Sequence, residues 1–145
     1  MEEKEIILVT GGAGFIGSHT VVELISNGYE PIIIDDFRNS ESFILDRIEQ
    51  IVNRKVMAYN FDCANEEKLK EVFQKHKPSG VIHFAADKAV GESVANPLKY
   101  YRNNLQTLTT VLSVCHDFGV NNIVFSSSCT VYGEPEEIPV KESTP

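Results

Sequence analysis

Five short apolar runs, separated by stretches of helical periodicity, organise this chain. They are residues 6–9 (IILV), 31–34 (PIII), 56–61 (VMAYNF), 81–86 (VIHFAA) and 122–125 (NIVF). Largely continuous apolarity, as opposed to strict alternation, is the pattern of a strand covered on both faces, as in a parallel sheet. Between the first two runs, Val21, Val22, Leu24 and Ile25 form an apolar stripe. Phe43, Ile44, Leu45, Ile48, Ile51 and Val52 form another between the second and third. Both stripes recur at helical spacing. A third helix is expected from Asn65, a capping residue followed by Glu66 and Glu67, to about His76. A long fourth helix is expected from Asn96-Pro97 to Phe118, with Tyr100, Leu105, Leu108, Val111, Leu112 and Cys115 as core or interface and Asn103 and Asn104 among them. Asn27-Gly28, residues 77–80 and Gly119 supply the stops. The alternation predicts one Rossmann-like, doubly wound α/β unit with a parallel sheet, right-handed crossovers and strand order 3-2-1-4-5.

The first strand runs into TGGAGFIGSH at residues 10–19, where Gly11, Gly14 and Gly17 stand between a buried strand and a helix start. That context turns a weak glycine pattern into a dinucleotide-binding motif. Glycine lets the chain reverse sharply, lets a pyrophosphate approach the backbone, and lets helix and strand pack closely. The helix start then offers free N–H groups and the positive end of a dipole to an anion. Asp35 ends the second strand eighteen residues beyond Gly17, where an acidic side chain can accept hydrogen bonds from an adenosine ribose and repel a 2′-phosphate. NAD is therefore expected over NADP, although Arg38 could favour a 2′-phosphate. Asp62, closing the third strand, falls on the crevice side near the adenine; Lys88, beyond the small residues Ala85 and Ala86, could reach a ribose hydroxyl. Ser126, Ser127 and Ser128 sit at the crevice end of the fifth strand, placed to touch substrate. His83 reads as a satisfied core histidine and His19 as a helix-surface residue.

Composition narrows this picture. With 145 residues, 42% of them hydrophobic, the chain has the length of one domain and can bury a sizeable core. A formal net charge of −8 and the lack of a basic cluster argue against nucleic acid as a partner. The acidic start MEEKE and the absence of a long apolar run point to a cytoplasmic protein without a membrane partner. Cys63, Cys115 and Cys129 have no metal-ligand spacing and read as reduced thiols, and no metal site is expected.

Four blocks lie in one order along the chain: TGGAGFIGSHT, DDFRNS at residues 35–40, KAVGESVANPLKYYRNN at residues 88–104, and FSSSCTVYG at residues 125–133. With them the sequence resembles the extended short-chain dehydrogenase/reductase family, and within it the sugar-nucleotide 4-epimerases. KAVGES followed by the tyrosine pair and asparagines carries the finer likeness. The resemblance implies an isomerase of galactose metabolism that uses NAD and acts on UDP-glucose and UDP-galactose. C4 is oxidised to a 4-keto intermediate and hydride returns to its other face. Carried over by matching position, the cofactor contacts would be Phe15 and Ile16 with the glycines, Asp35, Asp36, Phe37, Arg38, Asn39 and Ser40, then Asp62 and Cys63, then Phe84, Ala85, Ala86, Asp87 and Lys88, with Asn103 and Ser128. Ser128 would also be catalytic, hydrogen-bonding the sugar and assisting a tyrosine base. Ala86-Asp87 stands where the family more usually has glycine-leucine.

That tyrosine belongs to a Tyr-x-x-x-Lys pair. Tyr29, Tyr59, Tyr100, Tyr101 and Tyr132 are followed four residues later by Ile33, Cys63, Asn104, Leu105 and Glu136, so no such pair is present. The expectation is an incomplete NAD-binding domain over residues 1–145, with the substrate domain and catalytic helix absent, inactive alone and homodimeric when complete. The alternatives are another sugar-nucleotide enzyme of the family, a 4,6-dehydratase or decarboxylase, and a noncatalytic dinucleotide-binding module.

Overall fold

The structure is a computed structural model and describes residues 4–144; residues 1–3 of the acidic start, Pro145 and the side chain of Cys129 lie outside the described part. Five strands, β1 (Ile6–Thr10), β2 (Glu30–Asp35), β3 (Met57–Asn60), β4 (Gly80–His83) and β5 (Asn122–Phe125), form one parallel sheet in the order β3-β2-β1-β4-β5. Helices α1 (Phe15–Ser26), α2 (Phe43–Val52), α3 (Glu66–His76), α4 (Val90–Ala95) and α5 (Pro97–Asp117) occupy the crossovers.

Each face of the sheet has its own core. Leu8, Ile32, Ile34 and Val81 pack with Leu69, Val72 and Phe73 of α3 and Val111, Val114 and Cys115 of α5. On the other face Val9 and Ile33 pack with Val21 of α1 and Ile48 of α2. The inner strands β1, β2 and β4 are buried as their apolar runs anticipate, whereas the edge strands β3 and β5 are not, and Val124 and Phe125 of β5 are more than half exposed. His83 is 2% exposed, and its Nδ1 lies 2.7 Å from Thr10 Oγ1, so the histidine inside β4 is a satisfied core residue. Burial pushes its pKa down to about 4, keeping the ring neutral.

The helix ends follow local chemistry. Asn65 Oδ1 accepts the Lys68 N–H as the α3 cap, and Asn53 and Lys77 close α2 and α3 in the left-handed conformation. Three details differ from the sequence expectation. Residues 84–86 lie beyond β4, because β5 ends at Phe125, paired with His83. Residues 90–95 form the separate helix α4, which buries none of its residues and so leaves no core-facing stripe to read. Asn96 precedes Pro97 as expected but makes no side-chain cap bond. Among the described residues, no helix is long and apolar enough to cross a membrane.

Candidate functional site

The register brings every carboxyl end to one edge. Thr10 pairs with Ile34 and His83, Asp35 with Asn60, and His83 with Phe125. The order reverses at β1, whose neighbours β2 and β4 are reached by separate crossovers, and this switch point opens the crevice of a doubly wound sheet.

The glycine turn forms its floor. Gly11 donates its N–H to Ile34 O at 2.8 Å and has φ 68°; a Cβ there would lie 2.8 Å from the Ala85 nitrogen. At Gly17 a Cβ would meet Gly11 O at 2.2 Å, so only glycine lets α1 seat on the turn. Gly12, absent from the motif read in the sequence, is held by packing: its Cβ would lie 3.0 Å from the Ile33 side chain. α1 then starts at Gly14 without any side-chain cap bond, so its first-turn amides, including those of Phe15 and Ile16, have no intrahelical acceptor. Phe15 and Ile16 themselves are exposed beside the turn.

Asp35 ties this turn to the loop after β2. Its Oδ2 accepts the Ala13 N–H at 3.0 Å, and its Oδ1 accepts the Phe37 N–H at 2.9 Å and the Ser40 hydroxyl at 2.8 Å. Phe37 is held at φ 59°, a strained position for a bulky residue, at the crevice rim. Arg38 reaches outward from the same loop. Its guanidinium donates to the carboxylates of Asp36 and Asp62 and, at 2.8 Å, to Asn103 Oδ1. The loops after β2 and β3 are thus joined to α5 by one side chain. Cys63 is different: its thiol is buried in the core, where desolvation and then the charges of Asp62 and Asp36 push its pKa up to about 12. Only its main chain can face a ligand.

Asp87 is the second junction. Its N–H donates to Asn104 Oδ1 at 2.8 Å, its carbonyl accepts from Asn104 Nδ2 at 2.9 Å, and its Oδ1 accepts from Asn39 Nδ2 at 3.0 Å. Asp87 is 6% exposed, and its Oδ2 is buried without a partner among the described residues. Lys88 beyond it is exposed. The block at residues 88–104 largely braces itself: the Tyr100 hydroxyl donates to Glu92 Oε2 at 2.9 Å and accepts the Ala89 N–H at 3.1 Å, while Lys99 Nζ bonds Glu92 Oε1 at 2.6 Å. Burial first, and then the Glu92 contact, raises the Tyr100 pKa, so this tyrosine is a strut and a poor base. At the far side, Ser128 is exposed after β5, its Oγ 2.7 Å from Thr130 Oγ1 and accepting the Thr130 N–H at 3.3 Å, capping a 3₁₀ turn at Cys129–Tyr132. His19 lies on the exposed side of α1, edge-on to Phe15 at 5.1 Å. Among the described residues no group of His, Cys, Asp and Glu could hold a metal.

A parallel 3-2-1-4-5 sheet with a glycine turn, an uncapped helix start and an acidic residue at the end of β2 defines the Rossmann-like class of nucleotide-binding domains. The uncapped α1 start and the unpartnered Asp87 oxygen fit a ligand that is anionic at its centre and carries hydroxyl donors. Within that class, the chain belongs to the GDP-mannose 4,6 dehydratase family, which matches residues 8–145. It is 49% identical over 139 residues to a UDP-glucose 4-epimerase of Bacillus subtilis, covering 96% of this chain and 41% of that protein. The UDP-glucose 4-epimerase of Mus musculus is 47% identical over 147 residues, with 97% of this chain and 42% of that protein covered. The crystal structure of UDP-glucose 4-epimerase from Bifidobacterium longum in complex with NAD+ and UDP superposes with a TM-score of 0.93 at 48% identity, over 97% of this chain and 42% of that one. The chain therefore spans about two fifths of the length of these relatives.

Proposed function

We propose that this chain is the NAD-binding domain of a UDP-glucose/UDP-galactose 4-epimerase, an isomerase of galactose metabolism acting in the cytoplasm. The observation that carries the cofactor reading is the pairing of the uncapped α1 start with Asp35 across the glycine turn. The relatives named as epimerases, one of them solved with NAD+ and UDP, support the reaction.

In this reading the amides at the start of α1 hold the pyrophosphate, Asp35 and the loop to Ser40 hold the adenosine ribose, and Asp62 with the Cys63 main chain borders the adenine. The stretch from Phe84 to Lys88, with Asn103, lines the path toward the sugar. Ser128 orients the sugar hydroxyl at C4. When bound, NAD supplies a reversible hydride acceptor, and the protein supplies position and proton transfer. In this reading the tyrosine base and the lysine beside it are not supplied by these 145 residues, which hold no Tyr-x-x-x-Lys pair. A homodimer of the complete enzyme is supported by the exposed stripe of Leu98, Tyr101 and Leu105 along α5.

The family's description as a dehydratase favours a second reading, a sugar-nucleotide 4,6-dehydratase. The test is to incubate UDP-galactose with a protein that carries these residues together with the tyrosine base, and to analyse the product. UDP-glucose is expected. A 4-keto-6-deoxy sugar would move the assignment to the dehydratase, and no bound NAD with no turnover would remove the enzyme reading.

A further inference from the structure

Arg38 is the one basic side chain of the loop after β2, three residues beyond the Asp35 that ends that strand. A free guanidinium at this place in a dinucleotide fold is a receptor for a 2′-phosphate, through two parallel N–H bonds. Here it is not free. Its donors go to Asp36, Asp62 and Asn103, which come from the loop after β2, the loop after β3 and helix α5. Two carboxylates hold one guanidinium, and Asp35, bound to Ala13, Phe37 and Ser40, adds a third negative charge at the end of the same strand, so the surroundings of the ribose carry an excess of negative charge.

We propose that Asp36 and Asp62 form a specificity lock: they occupy Arg38 so that it cannot receive a 2′-phosphate, and they thereby keep the site for NAD and closed to NADP. This rests on the dinucleotide reading above and goes beyond it, because it assigns the choice of cofactor to residues besides Asp35. A phosphate approaching the 2′ position must either displace two carboxylates from Arg38 or sit beside them. Both routes cost binding that a bare 2′-hydroxyl does not lose. Asn103 completes the geometry by fixing the third donor direction, at 2.8 Å.

The experiment is to titrate NAD and NADP into the intact protein and into three variants: Asp36→Asn with Asp62→Asn, the same pair with Arg38→Met, and Arg38→Met alone. The readout is the ratio of the two dissociation constants, which cancels a general weakening of the site. Freeing Arg38 by the double substitution should shift this ratio toward NADP by about tenfold. Adding Arg38→Met should return it, and 0.5 M NaCl should shrink the gain about as far, since the new contact is between exposed charges. Arg38→Met alone should bring no gain for NADP. Where the double variant fails to fold, Asp36→Asn and Asp62→Asn singly give the same direction at smaller size. An unmoved ratio, or a gain that persists without Arg38, overturns the lock while leaving NAD binding intact. Failure of the unsubstituted protein to bind either nucleotide overturns the dinucleotide reading itself.

Discussion

The carboxylate of Asp35 and the backbone N–H of Ala13 meet at 3.0 Å, joining the end of β2 to the glycine turn that follows β1. Because the same carboxylate also accepts from Phe37 and Ser40, one side chain sets the shape of two crevice loops. Asp35→Ala should therefore cost about 2 kcal/mol of stability and more than tenfold in NAD affinity, since it strands three donors and removes a ribose acceptor. Denaturant unfolding and calorimetric titration measure the two losses separately. A stability loss without an affinity loss would remove the ribose role.

Two glycines of similar sequence prominence should respond oppositely to alanine. Gly17→Ala drives a Cβ to 2.2 Å from Gly11 O and should cost about 3 kcal/mol or prevent folding. Gly91→Ala, within α4 and with nothing inside 4 Å, should stabilise by about 0.5 kcal/mol. Thermal melts of the two variants decide this.

Acid should weaken the fold through His83. Burial lowers its pKa from 6.5 to about 4, so between those values the unfolded chain binds a proton that the folded chain refuses. Stability then falls as pH drops from 6.5 toward 4, by about 3 kcal/mol at most, and is unaffected by this group at neutral pH. Denaturation curves across that range should be less steep in pH for His83→Leu than for the unsubstituted chain.

The buried thiols should be silent. Burial raises Cys63 to about 12 and Cys115 to about 11, leaving almost no thiolate at pH 8. Iodoacetamide followed by peptide mapping should label neither in the folded protein and both after unfolding. Labelling of Cys63 under native conditions would show that its sulfur faces the crevice.

Taken alone, the 145 residues should self-associate. Val90 and Val94 on α4 and Leu98, Tyr101 and Leu105 on α5 are all more than half exposed, on adjoining helices. Sedimentation should show a concentration-dependent species that Leu105→Glu dissociates. A monomer throughout the micromolar range would argue that this surface needs no cover.

The sheet order was legible because two physical signals coincide: each strand falls on a short, largely apolar run, and each crossover carries a stripe at helical spacing. Asp35 and the glycines were legible because their constraint is local to a strand–turn–helix unit. The helix α4 was not, since its two valines face outward and its other positions are small or polar. Nor were the two junctions. Arg38 meets partners 24 and 65 residues away, and Asn104 meets Asp87 across 17, distances over which periodicity carries no information. Gly12 escaped notice for the same reason, as its constraint is the Ile33 side chain on the neighbouring strand. The residues 88–104 were singled out as a functional signature; much of their chemistry, from Glu92 to Tyr100, is internal bracing that presents Asp87 and Asn103 at the crevice.

Gly11 sits so close to the main chain leaving β4 that not even a methyl group fits between them. Two crossovers therefore touch backbone to backbone, without a side chain whose rotation could absorb a displacement. The base of the crevice is in effect one stiff plate, and any widening or closing has to come from its walls: the arginine-bearing loop on one flank and the serine turn on the other. The first of these walls is hinged to the plate through Asp35, which holds Ala13 on one side and Phe37 and Ser40 on the other.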